Sequence, residues 1–349
     1  MQKTLVNLLK FLVFLSVGLV ILYFVYRSQN TAYQAQCALD GVRSAECSLI
    51  NKIVTDFGRL NYAWIAVVVA CFMCSNWSRA VRWKMLIEPL GYDVKLGNAF
   101  WTVNLGYFAN LGLPRMGEIV RAASMSRYEK ISLDKLMGTI VVDRLLDVLC
   151  LGVVVFLAFL LEFNTIFEFL NANIAKNGLL QNPIVLGILA TGVLSFILVL
   201  VFWKKIIQLG VVQKILNLLN GFLEGILAIK DTKNPLIFVF HTFNIWFMYY
   251  LMAYFCFFAF PPTAALSPVV ALMVYTFGAF GVLIPSPGGM GTYHALVTAA
   301  LVLYGVNGSD GFSFANIFFF SVNIFGSIAF GLLALILLPI INRKKETAM

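Results

Sequence analysis

Apolar residues run in long stretches along this chain, broken at intervals by charges, proline or clusters of polar residues. Stretches of this length suit helices that cross about 30 Å of hydrocarbon, which takes roughly 20 residues at about 1.5 Å each. They fall at Phe11 to Tyr26, Tyr62 to Arg82, Gly138 to Leu161, Ile184 to Trp203, Leu236 to Phe260 and Phe314 to Leu338, so the pattern predicts six full transmembrane helices. A transmembrane β-barrel would show shorter segments of alternating polarity instead. Two further apolar segments are interrupted. Asn98 to Arg121 contains Gly106, Gly112, Pro114 and Gly117, and Ser267 to Gly305 contains Pro285, Pro287, Gly288, Gly289 and Gly291. Backbone broken at membrane depth has to be satisfied by protein or by a water-filled cavity. Both segments are therefore expected to be re-entrant broken-helix hairpins.

Composition supports the same fold class, an all-α polytopic membrane protein. Of 349 residues 61% are hydrophobic and 12% charged, about half the charged share of a soluble domain, which excludes a soluble globular enzyme. Residues 1–26 read as a first transmembrane helix of signal-anchor type, because Lys3 and Lys10 precede it and no small-x-small cleavage site follows. Residues 27–59 read as an external loop, 60–338 as the main transmembrane domain and 339–349 as a cytoplasmic tail. Gln213, Asn217, Asn220 and Glu224 make one polar stripe in the apolar stretch Ile206 to Ile229, the pattern of an amphipathic helix in the cytoplasmic interface.

The formal charge of +9 reports topology rather than nucleic-acid binding, since the basic residues lie between hydrophobic runs and not on one face. With six crossings and two hairpins, 18 of the 25 basic residues fall on the cytoplasmic side, Arg79, Arg82 and Arg121 among them. Arg115 and Arg144 fall within the membrane. That asymmetry puts both termini in the cytoplasm and the protein in the cytoplasmic (inner) membrane. The same layout places Cys37 and Cys47 outside, where an oxidising compartment favours a disulfide between them. Cys71 and Cys74 lie in an apolar run and act as small hydrophobes, not as a metal or redox motif.

The broken segments resemble each other. Each runs Gly-x-Phe, a small apolar stretch, Pro, then Met-Gly, ending at Gly117 and Gly291. Span, hairpin, span occurs as residues 62–161 entering from outside and 236–338 entering from inside, an inverted-topology repeat. Transporters built this way hold substrate near the midplane between the repeats. Charges cluster at the first break: Arg115, Glu118 and Arg121 flank it, and Asp143, Arg144 and Asp147 lie in the following span. Ionised side chains at depth must pair or line a wet cavity. Asp143 and Asp147 share a helix face at i and i+4, so both carboxylates can meet Arg115 or Arg121. Two readings stand, an ion-pair staple between hairpin and span, or a binding site in which an arginine takes an anionic headgroup and returns to a carboxylate when empty. At the second break the Gly288 to Gly291 run offers backbone N–H groups before a helix starting near Thr292, either as a phosphate cradle or as a plain turn. Ser286, Thr292, Tyr293 and His294 are nearby, and His294 is either a proton carrier or a hydrogen-bonded structural residue.

A Walker loop, a His-Glu-x-x-His helix and a Gly-x-Ser-x-Gly elbow are all missing, and two histidines, His241 and His294, cannot build a multi-histidine metal site. The expectation is a non-enzyme without cofactor. Four passages carry a family resemblance: Arg79-Ala-Val-Arg82-Trp83, Leu113-Pro114-Arg115-Met-Gly117-Glu118-Ile-Val-Arg121, Asp143-Arg144-Leu-Leu-Asp147 and Pro287-Gly288-Gly289-Met-Gly291. In this order they resemble the flippase-like, lysylphosphatidylglycerol synthase transmembrane family. The resemblance implies a lipid translocase whose substrate-binding residues are Arg115, Glu118, Arg121, Asp143, Arg144, Asp147, Pro287, Gly288, Gly289, Gly291, Tyr293 and His294. Only Asn342 to Met349 follows the last span, so the soluble aminoacyl-transferase activity of the best-known relatives is expected to be absent. The position of Asp143 is often Glu in such proteins, and an acidic residue often follows the position of Gly291 where this chain has Tyr293 and His294. With that second carboxylate missing, the implied partner is an anionic or neutral lipid: a phospholipid, a polyprenyl phosphate or a glycolipid, bound by a monomer or an oligomer. The competing readings are a proton-coupled transporter of a soluble metabolite and a non-transporting scaffold for envelope lipid synthesis.

Overall fold

The computed structural model describes residues 2–39, 47–112, 116–165, 167, 234–283 and 289–343, which contain helices and no strand. The chain forms two units, residues 1–144 with 232–349, and residues 145–231. Four helices among the described residues are long and apolar enough to cross a membrane: Tyr62–Leu90, Leu133–Leu161, Pro235–Ala259 and Gly308–Asn342. The expected span Ile184 to Trp203 and the polar stripe from Gln213 to Glu224 lie outside the described residues.

The amino-terminal helix, α1 (Gln2–Leu39), continues well past Tyr26, where the apolar run stops. Beyond the run, Ala32, Gln34, Ala35 and Gln36 are compatible with helix, and Asn30 Oδ1 accepts a hydrogen bond from Leu49 N at 3.4 Å. A short helix, α2 (Leu49–Gly58), follows. Ser48 caps it, its Oγ accepting from Asn51 N at 3.3 Å. Among the described residues, the segment expected as an external loop holds two helices, the end of α1 and α2. A disulfide joins Cys37 to Cys47, with their Cα atoms 6.4 Å apart.

A long–short–short–long pattern of helices then appears twice. The first set is α3 (Tyr62–Ile87), α4 (Leu96–Gly112), α5 (Gly117–Glu129) and α6 (Leu133–Leu161). The second is α7 (Pro235–Ala259), α8 (Pro268–Leu283), α9 (Thr292–Leu303) and α10 (Gly308–Phe319), which continues through a π-helical stretch, Phe320–Gly326, into α11 (Ser327–Asn342). Asn61 caps α3 through Ala63 N at 3.1 Å, and Pro89 with Gly91 at φ 84° ends it in a tight turn. At 12 to 17 residues the four short helices reach only about 18 to 26 Å at about 1.5 Å per residue. Each pair makes a hairpin.

Glycine closes both hairpins. Gly106 of α4 lies against Gly117 at the start of α5, where a Cβ on Gly106 would come within 2.9 Å of Gly117 O. Gly281 of α8 likewise lies against Thr292 and Tyr293 at the start of α9, where a Cβ would meet Tyr293 Cα at 2.6 Å. A side-chain bond ties each start to its partner. Asn110 Oδ1 accepts from Gly117 N at 2.7 Å, and Thr292 Oγ1 donates to Gly281 O at 2.6 Å. The similarity between the two broken segments therefore has a structural cause, close backbone approach at each turn.

Helices α3 and α7 pack along each other, and α11 packs on α4, where Gly331 makes room for Phe108. Polar groups fasten the second contact: Asn98 and Asn342 exchange carboxamide bonds of 3.0 and 2.7 Å, and Asn98 also donates to Glu129 of α5. One apolar core joins Val68, Phe72, Phe257, Val274, Val297 and Phe314, and a second surrounds Trp83 with Ile87, Phe100, Met125, Leu136 and Ile140. Exposed Phe240, Phe243, Leu335 and Ile336 give the outside the apolar character that lipid tails require.

Lys52 of α2 spans Asp56 and Asp310, both at 2.6 Å, and so ties α2 to α10. Burial pushes the ammonium pKa down, but the hydrogen bonds to Asp310 and Asp56 outweigh it and hold the group above 10.5. Its folded pKa exceeds its unfolded one, so the stabilisation is complete below about 10.5 and disappears as pH climbs through the folded value. Lys52→Met is expected to cost about 1 kcal/mol at pH 7 and progressively less above pH 11, as read from thermal unfolding in detergent at the two pH values.

Candidate functional site

One carboxylate organises the polar interior of the first repeat. Asp143 on α6 is fully buried and receives three arginines from two other helices. Arg82 of α3 donates to Oδ1 from Nε at 2.9 Å and from Nη2 at 2.5 Å. Arg79, one turn earlier, and Arg121 of α5 donate from Nη1 to Oδ2 at 3.3 and 3.0 Å. The i, i+3 spacing of Arg79 and Arg82 puts both on the face of α3 that carries buried Asn76. Arg121 stacks on Trp83, its Cζ 3.8 Å from the ring centroid, and Trp83 Nε1 donates to Thr139 Oγ1 at 2.9 Å. The stack fixes the plane of the guanidinium.

Beside this cluster Arg144 Nη2 meets Glu118 Oε1 at 2.9 Å. Arg79 also donates to Tyr249 Oη of α7 at 3.3 Å, and Tyr249 Oη lies 2.8 Å from Tyr107 Oη of α4. Arg79, Gly106, Tyr107, Asn110, Glu118, Arg121 and Arg144 line a cavity of about 10 Å³, room for about one water. Only 3% of the Arg121 side chain is exposed, yet its Nε and Nη2 have no hydrogen-bond partner among the described protein groups. These two atoms form the forked edge that guanidinium uses for bidentate anion binding.

Several expected site residues occupy other places. Asp143, one half of the expected i, i+4 carboxylate pair, takes its three arginines within the first unit. Arg144, among the expected site residues, reaches Glu118 and lines the cavity. Arg115, Pro287 and Gly288 lie outside the described residues. Gly289 and Gly291 have φ of 80° and 86°, conformations that suit glycine, and both precede α9. Tyr293 and His294 are buried among aromatic rings, with His294 4.8 Å from Phe319 and its Nδ1 accepting from Gly291 N at 3.4 Å. Among the described residues the cavity takes its lining from the first hairpin with Arg79 and Arg144, and from none of the second hairpin. Arg79 and Arg82, counted among cytoplasmic flanking charges, are instead buried around Asp143. Asn76, Arg79 and Arg82 at i, i+3 and i+6 in an apolar helix carry the signal that would have placed them there.

Residues 48–329 match the family model described as the lysylphosphatidylglycerol synthase TM region, four-fifths of the chain and every group in the Asp143 cluster. The chain belongs to that family. It is also 31% identical over 101 residues to a UPF0104 membrane protein of Methanocaldococcus jannaschii, a match that covers 28% of this chain and 30% of that protein. No solved structure matches. Membership of the family makes this a membrane protein with a domain of the type attached to lipid-related processes.

Asp143→Asn would leave three buried guanidiniums facing a neutral amide, and breaking a buried pair in this way costs about 3 to 5 kcal/mol. Glu118→Gln touches a half-exposed pair and is expected to cost much less. Detergent thermal melts of both variants should show Asp143→Asn with by far the larger drop in midpoint.

Proposed function

We propose that the protein is a lipid translocase, a carrier rather than an enzyme, that passes a polar lipid headgroup between the leaflets of the cytoplasmic membrane while the acyl or prenyl chains stay in the bilayer. The observation that carries this reading is the forked edge of Arg121, buried, unpartnered among the described groups and turned into a cavity at the break of a short hairpin. An unsatisfied buried donor pair is costly, and an anionic headgroup removes the cost. The family supports a lipid over a soluble substrate. At one water in size the cavity must widen to admit a headgroup, which requires the hairpin to move relative to the long helices. In this reading Arg121 alternates between its full set of bonds with Asp143 and a share in the ligand, and the two sets of helices form an inverted repeat. An anionic headgroup moving outward is driven by a potential negative inside, at about 2.3 kcal/mol per charge per 100 mV.

The orientation that goes with this reading puts both termini in the cytoplasm and the Cys37–Cys47 disulfide outside. After mild reduction of intact cells, a membrane-impermeant thiol reagent is expected to label both cysteines; labelling only after lysis would reverse the orientation.

Transport is tested with purified protein in liposomes, using headgroup-labelled phospholipids, polyprenyl phosphates and glycolipids, scored for movement between leaflets. Arg121→Lys keeps a positive charge next to Asp143 and loses the fork, so it is expected to fold and to slow movement at least tenfold. If no lipid moves faster with the wild type than with this variant while a soluble metabolite is taken up, the protein is a secondary transporter instead.

A further inference from the structure

The cavity beside Arg121 wants a donor as well as an acceptor, and the ligand that brings both is a narrower class; the step rests on the headgroup site proposed above. Glu118 Oε1 takes Arg144 Nη2 at 2.9 Å, while its Oε2 is buried and has no hydrogen-bond partner among the described protein groups. The other side-chain oxygens on the cavity wall are engaged: Asn110 Oδ1 accepts from Gly117 N at 2.7 Å, and Tyr107 Oη lies 2.8 Å from Tyr249 Oη. Glu118 and Arg121 stand three residues apart on α5, on one face of the helix, where Cβ atoms are roughly 5 to 6 Å apart. They do not bond each other, since Nε and Nη2 of Arg121 and Oε2 of Glu118 are all without a partner. The bond from Nη1 to Asp143 and the stack on Trp83 hold Arg121 where it is. A pair of free donors thus sits next to a free carboxylate oxygen on one cavity wall.

A headgroup that brings only its phosphate satisfies Arg121 and seals Glu118 Oε2 from water without a donor. A buried acceptor left in that state is costly, and more so when it carries charge. Phosphodiester headgroups differ on this point. Choline, a quaternary ammonium, and a methyl ester have no N–H or O–H to offer. Ethanolamine has an ammonium and glycerol a hydroxyl, each on the second carbon from the ester oxygen. We propose that the site selects a phosphodiester headgroup that carries a hydrogen-bond donor on this second carbon, Arg121 taking the phosphate and Glu118 Oε2 the donor. Hydroxyl and ammonium share the required chemistry, and a choline headgroup is refused. Glu118 is then a specificity-determining residue and not only the partner of Arg144.

The test titrates the purified whole chain in detergent with dioleoyl lipids and reads bound lipid by native mass spectrometry. Two pairs are matched in chains and in charge: phosphatidylglycerol with phosphatidylmethanol, and phosphatidylethanolamine with phosphatidylcholine. Only the first member of each pair has a donor. It is expected to bind about tenfold more tightly than the second, the effect of one charged acceptor left unsatisfied. A preference in one pair alone would support the site and name hydroxyl or ammonium as its donor. In Glu118→Gln the amide oxygen keeps Arg144 and the amide nitrogen puts a donor where Oε2 was, so the members of each pair are expected to come within about twofold of each other. Equal affinities within both pairs of the wild type, or a preference that survives Glu118→Gln, would overturn the inference. Glycerophosphoglycerol supplies the diester and the hydroxyls without acyl chains; if it bound as tightly as phosphatidylglycerol, the ligand would be a soluble phosphodiester and the headgroup reading would fail while the donor requirement stood. Preference without any movement between leaflets would remove the translocase alone, whereas movement of both members of each pair with equal affinity would remove this inference alone.

Discussion

A single ion cluster holds the first repeat together. Asp143 bonds Arg79, Arg82 and Arg121, so α3, α5 and α6 all meet at its two oxygens. Burying four ionised groups is unfavourable unless each is paired and hydrogen-bonded. The arrangement meets that condition for Asp143 and leaves it unmet for two atoms of Arg121. The apolar core of Trp83, Met125, Leu136 and Ile140 packs around the cluster, excludes water and strengthens each charge contact. If the site takes a headgroup as proposed, stability and ligand affinity draw on the same residues, and the headgroup site and the ion-pair staple are one structure.

The hairpins show how short helices reach such a site. Neither arm of either hairpin is long enough to cross, and the arms can close against each other only because Gly106 meets Gly117 and Gly281 meets Thr292 with almost no side chain between them. In the first hairpin this closeness sets Arg121 one turn inside α5, within reach of Asp143. In the second it sets His294 and Tyr293 into an aromatic core instead. The two hairpins share a backbone device and differ in chemistry.

Much of the architecture was legible in the sequence because a span has to be both long and apolar, and that constraint leaves a plain mark at Tyr62, Gly138, Leu236 and Phe314. The hairpins were legible through Gly and Pro at membrane depth. The burial of Arg79 and Arg82 was not, since a charge in the last turn of a span looks like one that snorkels to the interface. The helical end of α1 was hidden for a similar reason: residues 27–39 are polar enough to pass for a loop, and only contact with α2 and α10 shows otherwise. Helix geometry pointed to Asp143 as a partner for Arg121, and the structure adds Arg79 and Arg82 to the same carboxylate.

The reciprocal bonds between Asn98 and Asn342 join residues 244 positions apart. A ribosome adding about 5 to 20 residues per second needs roughly 12 to 50 seconds to make the chain between them. Throughout that interval Asn98 has Glu129 of its own hairpin but not Asn342, and Phe108 lacks the groove at Gly331 that receives it. The order of synthesis thus presents the Asn98 face of α4 before the helix that covers it exists. The contact between α4 and α11 is therefore among the last that the growing chain can complete.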